Sequence, residues 1–287
     1  MLKRTAISRF ENWKSNKTQQ GLLVTGARQV GKTYLIREFA KAHYKHFIEI
    51  NLLENALAKD ALQAAKNAKE LFARLTIFSE DQIVPGETLF FIDEVQEHKE
   101  IVTAVKFLVE QNDVDFILSG SLLGVELRDV KSVPVGYLDV VEMFPLSFQE
   151  YAAARGFSGG AGEIVKDSFR SRTELPDYVH DAMLSLFHEY LIVGGMPAAV
   201  ASFTEANDLQ AVRRIQENIV ALNKWDISKY RPDDALLIKN MYELIPAELN
   251  QQNKRFILKS MNERARFSQY ADSLVWLTAA GVAIPVY

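Results

Sequence analysis

Five short apolar runs punctuate the first half of the chain, and helical periodicity fills the spaces between them. GLLVT at 21–25, bounded by glycines, reads as a buried strand. Leu35, Ile36, Phe39 and Ala40 then recur at helical spacing, which predicts a helix from Lys32 to about Ala42. HFIEINL at 46–52 alternates like a second strand, and the alanine-rich stretch 56–76 reads as one or two helices. ETLFFIDEVQ at 87–96 supplies a third strand, DVDFILSGS at 113–121 a fourth and GYLDVVEM at 136–143 a fifth. Apolar strands alternating with helices predict an α/β fold, a parallel five-stranded sheet with helices on both faces.

After about residue 145 the strand pattern stops. PLSFQEYAAARG opens a helix, GFSGGAGE at 156–163 reads as a flexible loop, and helical patterns occupy 177–190 and 208–229. GGMP at 194–197 reads as a helix stop, and Phe187, Tyr190, Leu191 and Met196 as core. YRPDD at 230–234 marks a boundary where proline opens a new helix. The expected organisation is a first domain over 1–150, a helical lid or linker over 151–230 and a winged-helix-like module over 231–287. That module comprises helices at DDALLIKNMYELIPAEL, KRFILKSM and SQYADSLVWLTAAG, leading into a strand.

Composition narrows the chemistry. The 287 residues include no cysteine, which excludes disulfides and thiolate metal sites, and the five histidines are too scattered for a zinc centre. A net charge of -4 implies no chain-wide attraction to nucleic acid or membrane. Locally, Lys254, Arg255, Lys259, Arg264 and Arg266 against Glu263 give +4 between Asn250 and Tyr270, a candidate contact for DNA or a protein partner. A solvated face explains the same charges. The N-terminus lacks the apolar core of a signal peptide, and the most apolar stretch, LVWLTAAGVAIPVY at 274–287, is shorter than the roughly 20 residues a spanning helix needs. No membrane association and a cytoplasmic location are expected.

Gly26, Gly31, Lys32 and Thr33 satisfy G-x-x-x-x-G-K-[ST] between the first strand and its helix. By chance the pattern arises in about one such chain in a hundred, but its position is the one the chemistry requires. Backbone N–H groups along Gly26, Ala27, Arg28, Gln29, Val30, Gly31, Lys32, Thr33 and Tyr34, with the positive helix end, would converge on a phosphate. Lys32 would reach the β and γ phosphates and the Thr33 hydroxyl would ligate Mg²⁺. LFFIDE sets Asp93 and Glu94 at the carboxyl end of the third strand, where Asp93 would hold the metal through a water molecule and Glu94 would orient and polarise the attacking water. A helix N-cap would explain an acidic pair equally simply. Ser119 and Ser121, ending the fourth strand, would hydrogen-bond the γ-phosphate or the water, unless they only form a turn.

Together GARQVGKT, LFFIDEVQ, ILSGSLLG, PLSFQEY, VGGMPAAV and FSQYADSLVWLTAAGVAIPVY resemble a bacterial and archaeal family of AAA-type P-loop ATPases, in which a winged helix and a domain of unknown function follow the P-loop domain. The resemblance implies an ASCE-type sheet with the serine-bearing strand beside the Lys32 strand, ATP as the nucleotide and Mg²⁺ as its metal. Two departures stand out. Tyr137 occupies a step where relatives carry arginine, leaving Arg128 as the nearby candidate, and relatives continue past AIPVY, so the chain is expected to be a shortened form. The implied function is Mg-dependent hydrolysis of ATP by water, coupled to the C-terminal helical module and slow without a partner's arginine. The alternatives are an ATP-gated DNA-binding switch with little turnover and, fitting less well, a small-molecule kinase. No oligomeric state follows from the residues.

Overall fold

A computed structural model of the protein describes residues 2–16, 20–79, 82–111, 113–121, 136–157, 159–252, 256 and 267–284. The chain divides into two compact units, Met1–Val212 and Arg213–Tyr287. Strands β1 (Gly21–Gly26), β2 (His46–Asn51), β3 (Thr88–Asp93), β4 (Asp115–Ser119) and β5 (Leu138–Met143) form one sheet in the order β2-β3-β4-β1-β5. Every pairing is parallel, as the alternation of apolar runs and helices predicts.

The two-residue period of the strands splits the core into two layers. Leu22, Val24, Leu89, Phe91, Ile117 and Val141 pack with helices α1 (Ile7–Asn16) and α2 (Lys32–His43). Their neighbours Leu23, Phe90, Ile92, Phe116 and Leu118 face α3 (Ala56–Gln63), α4 (Ala68–Ile77) and α5 (Glu100–Gln111). On that second face Phe90 and Phe116 stack with centroids 5.4 Å apart. Burial on both faces explains why β1, β3 and β4 read as continuous apolar runs, whereas the edge strands β2 and β5 alternate with polar residues.

Beyond the sheet the first unit is helical: α6 (Phe148–Ala154), α7 (Gly160–Ser171), α8 (Asp177–Val193) and α9 (Pro197–Ala206), with the division between units falling inside α10 (Leu209–Tyr230). Ser147 caps α6 in a complete capping box with Glu150. The expected loop at 156–163 is cut short, because α7 begins at Gly160 with Glu163 in its first turn, where a negative charge favours the helix end. On α8, Phe187 and Leu191 are 41% and 65% exposed instead of forming core. The buried stripe of this helix runs through Val179 and Val193, and Tyr190 on the same side donates its hydroxyl to Leu146 O at 2.7 Å. Because α8 is apolar around most of its circumference, the sequence alone does not select the inward face.

In the second unit α11 (Ala235–Leu249) packs on α12 (Phe267–Ala279), burying Ile238, Met241, Trp276 and Leu277. The expected helix KRFILKSM, the basic residues Lys254, Arg255, Lys259, Arg264 and Arg266 and the terminal PVY all lie outside the described residues, as does Arg128. Among the described residues no helix is long and apolar enough to cross a membrane.

The turn after α8 is fastened tightly to the linker between β5 and α6. Leu146 N donates to Gly195 O at 2.6 Å, and a Cβ on Gly195 would stand 2.2 Å from Leu146 O. Gly195→Ala is therefore expected to cost about 1–3 kcal/mol through overpacking. Gly162→Ala, inside α7 with open space around it, should instead stabilise by about 0.5–1 kcal/mol. Denaturant unfolding of the two variants checks this opposition of sign.

Candidate functional site

Strand β1 lies between β4 and β5 and delivers its carboxyl end into the glycine loop. Gly26 has φ +131°, and a Cβ there would meet Met143 O of β5 at 2.1 Å, so no larger residue fits while the two strands stay paired. Val30 is fully buried and pins the middle of the loop to the core. Gly31, at φ +90°, precedes α2 without a side-chain cap, which leaves the positive end of that helix directed at the loop. Gln29 and Arg28 complete the loop, the former with φ +62°, and Tyr34 follows it on the surface, 52% exposed.

Lys32 turns back over this loop. Its side chain is buried, and Nζ donates to Gly26 O at 2.9 Å, Ala27 O at 2.8 Å and Ser121 Oγ at 3.2 Å. Burial lowers its pKa to about 8, partly opposed by the charges of Glu94 and Asp93 and reinforced by Arg28. An anion brought beside this ammonium would favour its charged form and offset the cost of its burial.

Strand order explains how the acidic residues reach the loop. Asp93 ends β3, two strands from β1, and Ser119 ends the intervening β4. Asp93 Oδ2 accepts from Thr33 Oγ1 at 2.8 Å, while Oδ1 accepts from Ser119 Oγ and, at 2.9 Å, from Glu94 N. Glu94 then leaves the strand in a left-handed conformation, φ 56° and ψ 46°, rare for a residue with a long side chain. This turn ends β3 earlier than the apolar run predicts and starts the 3-10 turn Val95–His98. Gln96 Nε2 donates to Glu94 Oε2, whereas Gln96 Oε1 is buried with no hydrogen-bond partner among the described residues.

The structure thus gathers every residue that the motifs nominate: the loop from Gly26 to Tyr34, Asp93, Glu94, Ser119 and Ser121. Tyr137 lies elsewhere. Its carbonyl accepts from Gly21 N at 2.9 Å, at the amino-terminal edge of the sheet, about 17–20 Å along β1 from the loop. An arginine at that step would be equally remote. Residues that the motifs did not nominate also belong here: Gln96 beside Glu94, and Arg4 with Glu150 behind the loop.

The donors available to a metal are a hydroxyl and a carboxylate, Thr33 and Asp93, already 2.8 Å apart. Oxygen donors in this number suit Mg²⁺, which keeps its other positions for water and phosphate oxygens. Among the described residues no group of three or more His, Cys, Asp or Glu side chains could form a complete metal cage.

Residues 18–152 match the AAA domain, and residues 184–287 match a domain of unknown function. No curated protein is significantly similar to the chain. Among solved structures, the Walker-type ATPase PABY2304 of Pyrococcus abyssi superposes over 98% of this chain and 90% of its own, with TM-score 0.57 at 15% identity. PCH-2 of C. elegans matches 73% of this chain and 66% of its own at 11% identity and TM-score 0.40. The Aeropyrum pernix ORC1 protein, solved in complex with DNA, matches 96% of this chain and 83% of its own at 11% identity and TM-score 0.38. Residues 18–152 thus form an AAA domain built around this glycine loop, with a domain of unknown function behind it, the arrangement that the motifs resemble.

Proposed function

We propose that the protein hydrolyses ATP at this loop with Mg²⁺ and couples its nucleotide state to the C-terminal helical module. The observation that carries the reading is the contact between Thr33 and Asp93, which joins the loop to the acidic strand end across 60 residues of sequence. The backbone amides of residues 26–34 and the Lys32 ammonium bind the phosphates. Thr33 and Asp93 hold the metal, whose charge offsets that of the β and γ phosphates. Glu94 takes a proton from the attacking water as its oxygen bonds to the γ-phosphorus and the bridging P–O bond breaks, releasing ADP. Gln96 fixes one Glu94 oxygen through its N–H, and its unpartnered carbonyl supplies an acceptor for the second proton of that water. Ser119 holds the other edge of Asp93, and Ser121 holds Lys32.

The carboxylate immediately after the metal-binding aspartate suits activation of a water beside the γ-phosphate. Lys32→Ala should abolish both nucleotide binding and phosphate release. Glu94→Gln should keep ATP binding and slow turnover by about 10²–10⁴-fold. Single-turnover phosphate release beside equilibrium ATP binding separates the two, and equal turnover in wild type and Lys32→Ala would refute hydrolysis at this site.

The depressed Lys32 pKa adds a dependence on pH with a definite sign. Between its native value of about 8 and the ordinary 10.5, the unfolded chain holds more of this proton than the folded one, so the contribution of this group to stability rises with pH there. Bound polyphosphate favours the charged form, so binding at about pH 9 must take up a proton and weaken as pH climbs. Calorimetric titration with Mg-ATP in two buffers of different ionisation enthalpy should detect that uptake at pH 9 and little at pH 7.

A further inference from the structure

Arg4 lies behind the phosphate loop with its side chain only 8% exposed, and all three of its nitrogens are engaged. Nη1 donates to Val30 O at 2.7 Å, Nη2 to Phe144 O at 2.5 Å and Nε to Glu150 Oε1 at 3.3 Å. Glu150 is itself fixed, accepting from Thr5 N at 2.7 Å, Thr5 Oγ1 at 2.9 Å and Ser147 N at 2.8 Å. Burial alone would raise the pKa of this carboxyl, yet these donors and the Arg4 charge hold it below the usual carboxylate range. The guanidinium is therefore clamped from one side by a carboxylate and presses its fork on two carbonyls, a task that a single ammonium cannot perform.

Its contact with Val30 has a consequence for the loop. In a trans peptide the C=O and the following N–H point in opposite directions, and no peptide of the described chain is cis. With the Val30 carbonyl drawn toward Arg4, the Gly31 N–H is turned away from Arg4. Gly31 sits at φ +90°, and a glycine there offers little resistance to rotation of the preceding peptide plane. Arg4 Nη1 stands 3.7 Å from where a Cβ of Gly31 would be, close enough to restrain that plane directly.

We propose that Arg4 is a positioning residue for the phosphate loop: it holds the Val30–Gly31 peptide in the orientation that presents the Gly31 N–H to a bound polyphosphate. The inference rests on the reading of the loop as a polyphosphate site. Because Glu150 already balances its charge, Arg4 acts through geometry and not through attraction for the nucleotide. The bond to Phe144 O ties the same restraint to the end of β5, so that loop and sheet edge are held together.

The test is equilibrium binding of Mg-ATP and Mg-ADP to the wild-type chain, Arg4→Ala, Arg4→Lys and Tyr151→Phe. The last removes the buried hydroxyl bond to Glu189 in the same unit without touching the loop, and so controls for loss of stability. Loss of one charge-assisted bond to Val30 should weaken both nucleotides roughly tenfold or more in Arg4→Ala. Arg4→Lys should fall between Arg4→Ala and wild type, and Tyr151→Phe should bind normally despite a lower unfolding temperature. In turnover, Arg4→Ala should raise KM and leave kcat within about twofold, the signature of lost uniform binding. Wild-type affinity in Arg4→Ala would overturn the assignment, and so would an equal loss in Tyr151→Phe at a matched fall in unfolding temperature. If the wild-type chain binds neither nucleotide, the phosphate site itself fails and the role of Arg4 with it. Normal wild-type binding with an indifferent Arg4→Ala removes this inference alone.

Discussion

The hydrogen bond from Thr33 to Asp93 is the point on which the rest of the site depends. It exists because a parallel sheet directs all its strand ends to one edge, and because β4 separates β1 from β3 by a single strand width. Ser119, at the end of that intervening strand, fills the gap by donating to the other oxygen of Asp93. A one-residue slip of β3 would move the aspartate to the opposite face and break the pair. The parallel pairing of β3 with β4, from Leu89↔Asp115 to Ile92↔Leu118, sets the register that keeps Asp93 beside Ser119.

The same edge links the loop to the helices beyond the sheet. Leu146 N holds the carbonyl of Gly195, Tyr190 holds the carbonyl of Leu146, and Pro197 Cγ comes within 3.7 Å of the place a Cβ of Gly31 would take. The GGMP turn, which the sequence marks only as a helix stop, is thus packed against the last glycine of the phosphate loop. A change in the loop's shape meets α8 and α9 directly at this turn, and Gly195 is glycine because the backbone of Leu146 leaves no room for a side chain. This contact gives the proposed coupling a physical starting point inside the first unit.

Local chemistry was legible in the sequence where a local rule sets it. Glycine spacing marks the loop, a long apolar run marks β3, and an acidic residue at the end of such a run marks Asp93. Orientation between distant segments was not. Arg4 meets partners 26, 140 and 146 positions away, and nothing in the pattern around an N-terminal arginine points to a carbonyl in a loop. Phe187 and Leu191 were misread for a related reason, since a helix apolar on most sides does not declare its inward face. The glycines of GFSGGAGE suggested a loop by composition, yet the amphipathic run after Gly162 and the favourable charge of Glu163 extend the helix back to Gly160.

Lys32 decides how these parts compete. Its ammonium is satisfied by the carbonyls of Gly26 and Ala27 and by Ser121, so an incoming phosphate replaces bonds that already exist and does not fill an unmet need. Neutral carbonyls cannot fully offset the burial of a charge, which is why its pKa falls to about 8 even with two carboxylates nearby. A polyphosphate brings the opposite charge to the same spot and so gains by the difference between the two arrangements. That difference depends on the loop keeping its amides turned inward once the lysine lets go of the two carbonyls. The restraints on the loop, Val30 in the core, Gly26 against Met143 and Arg4 behind Val30, act in that interval and make the exchange favourable.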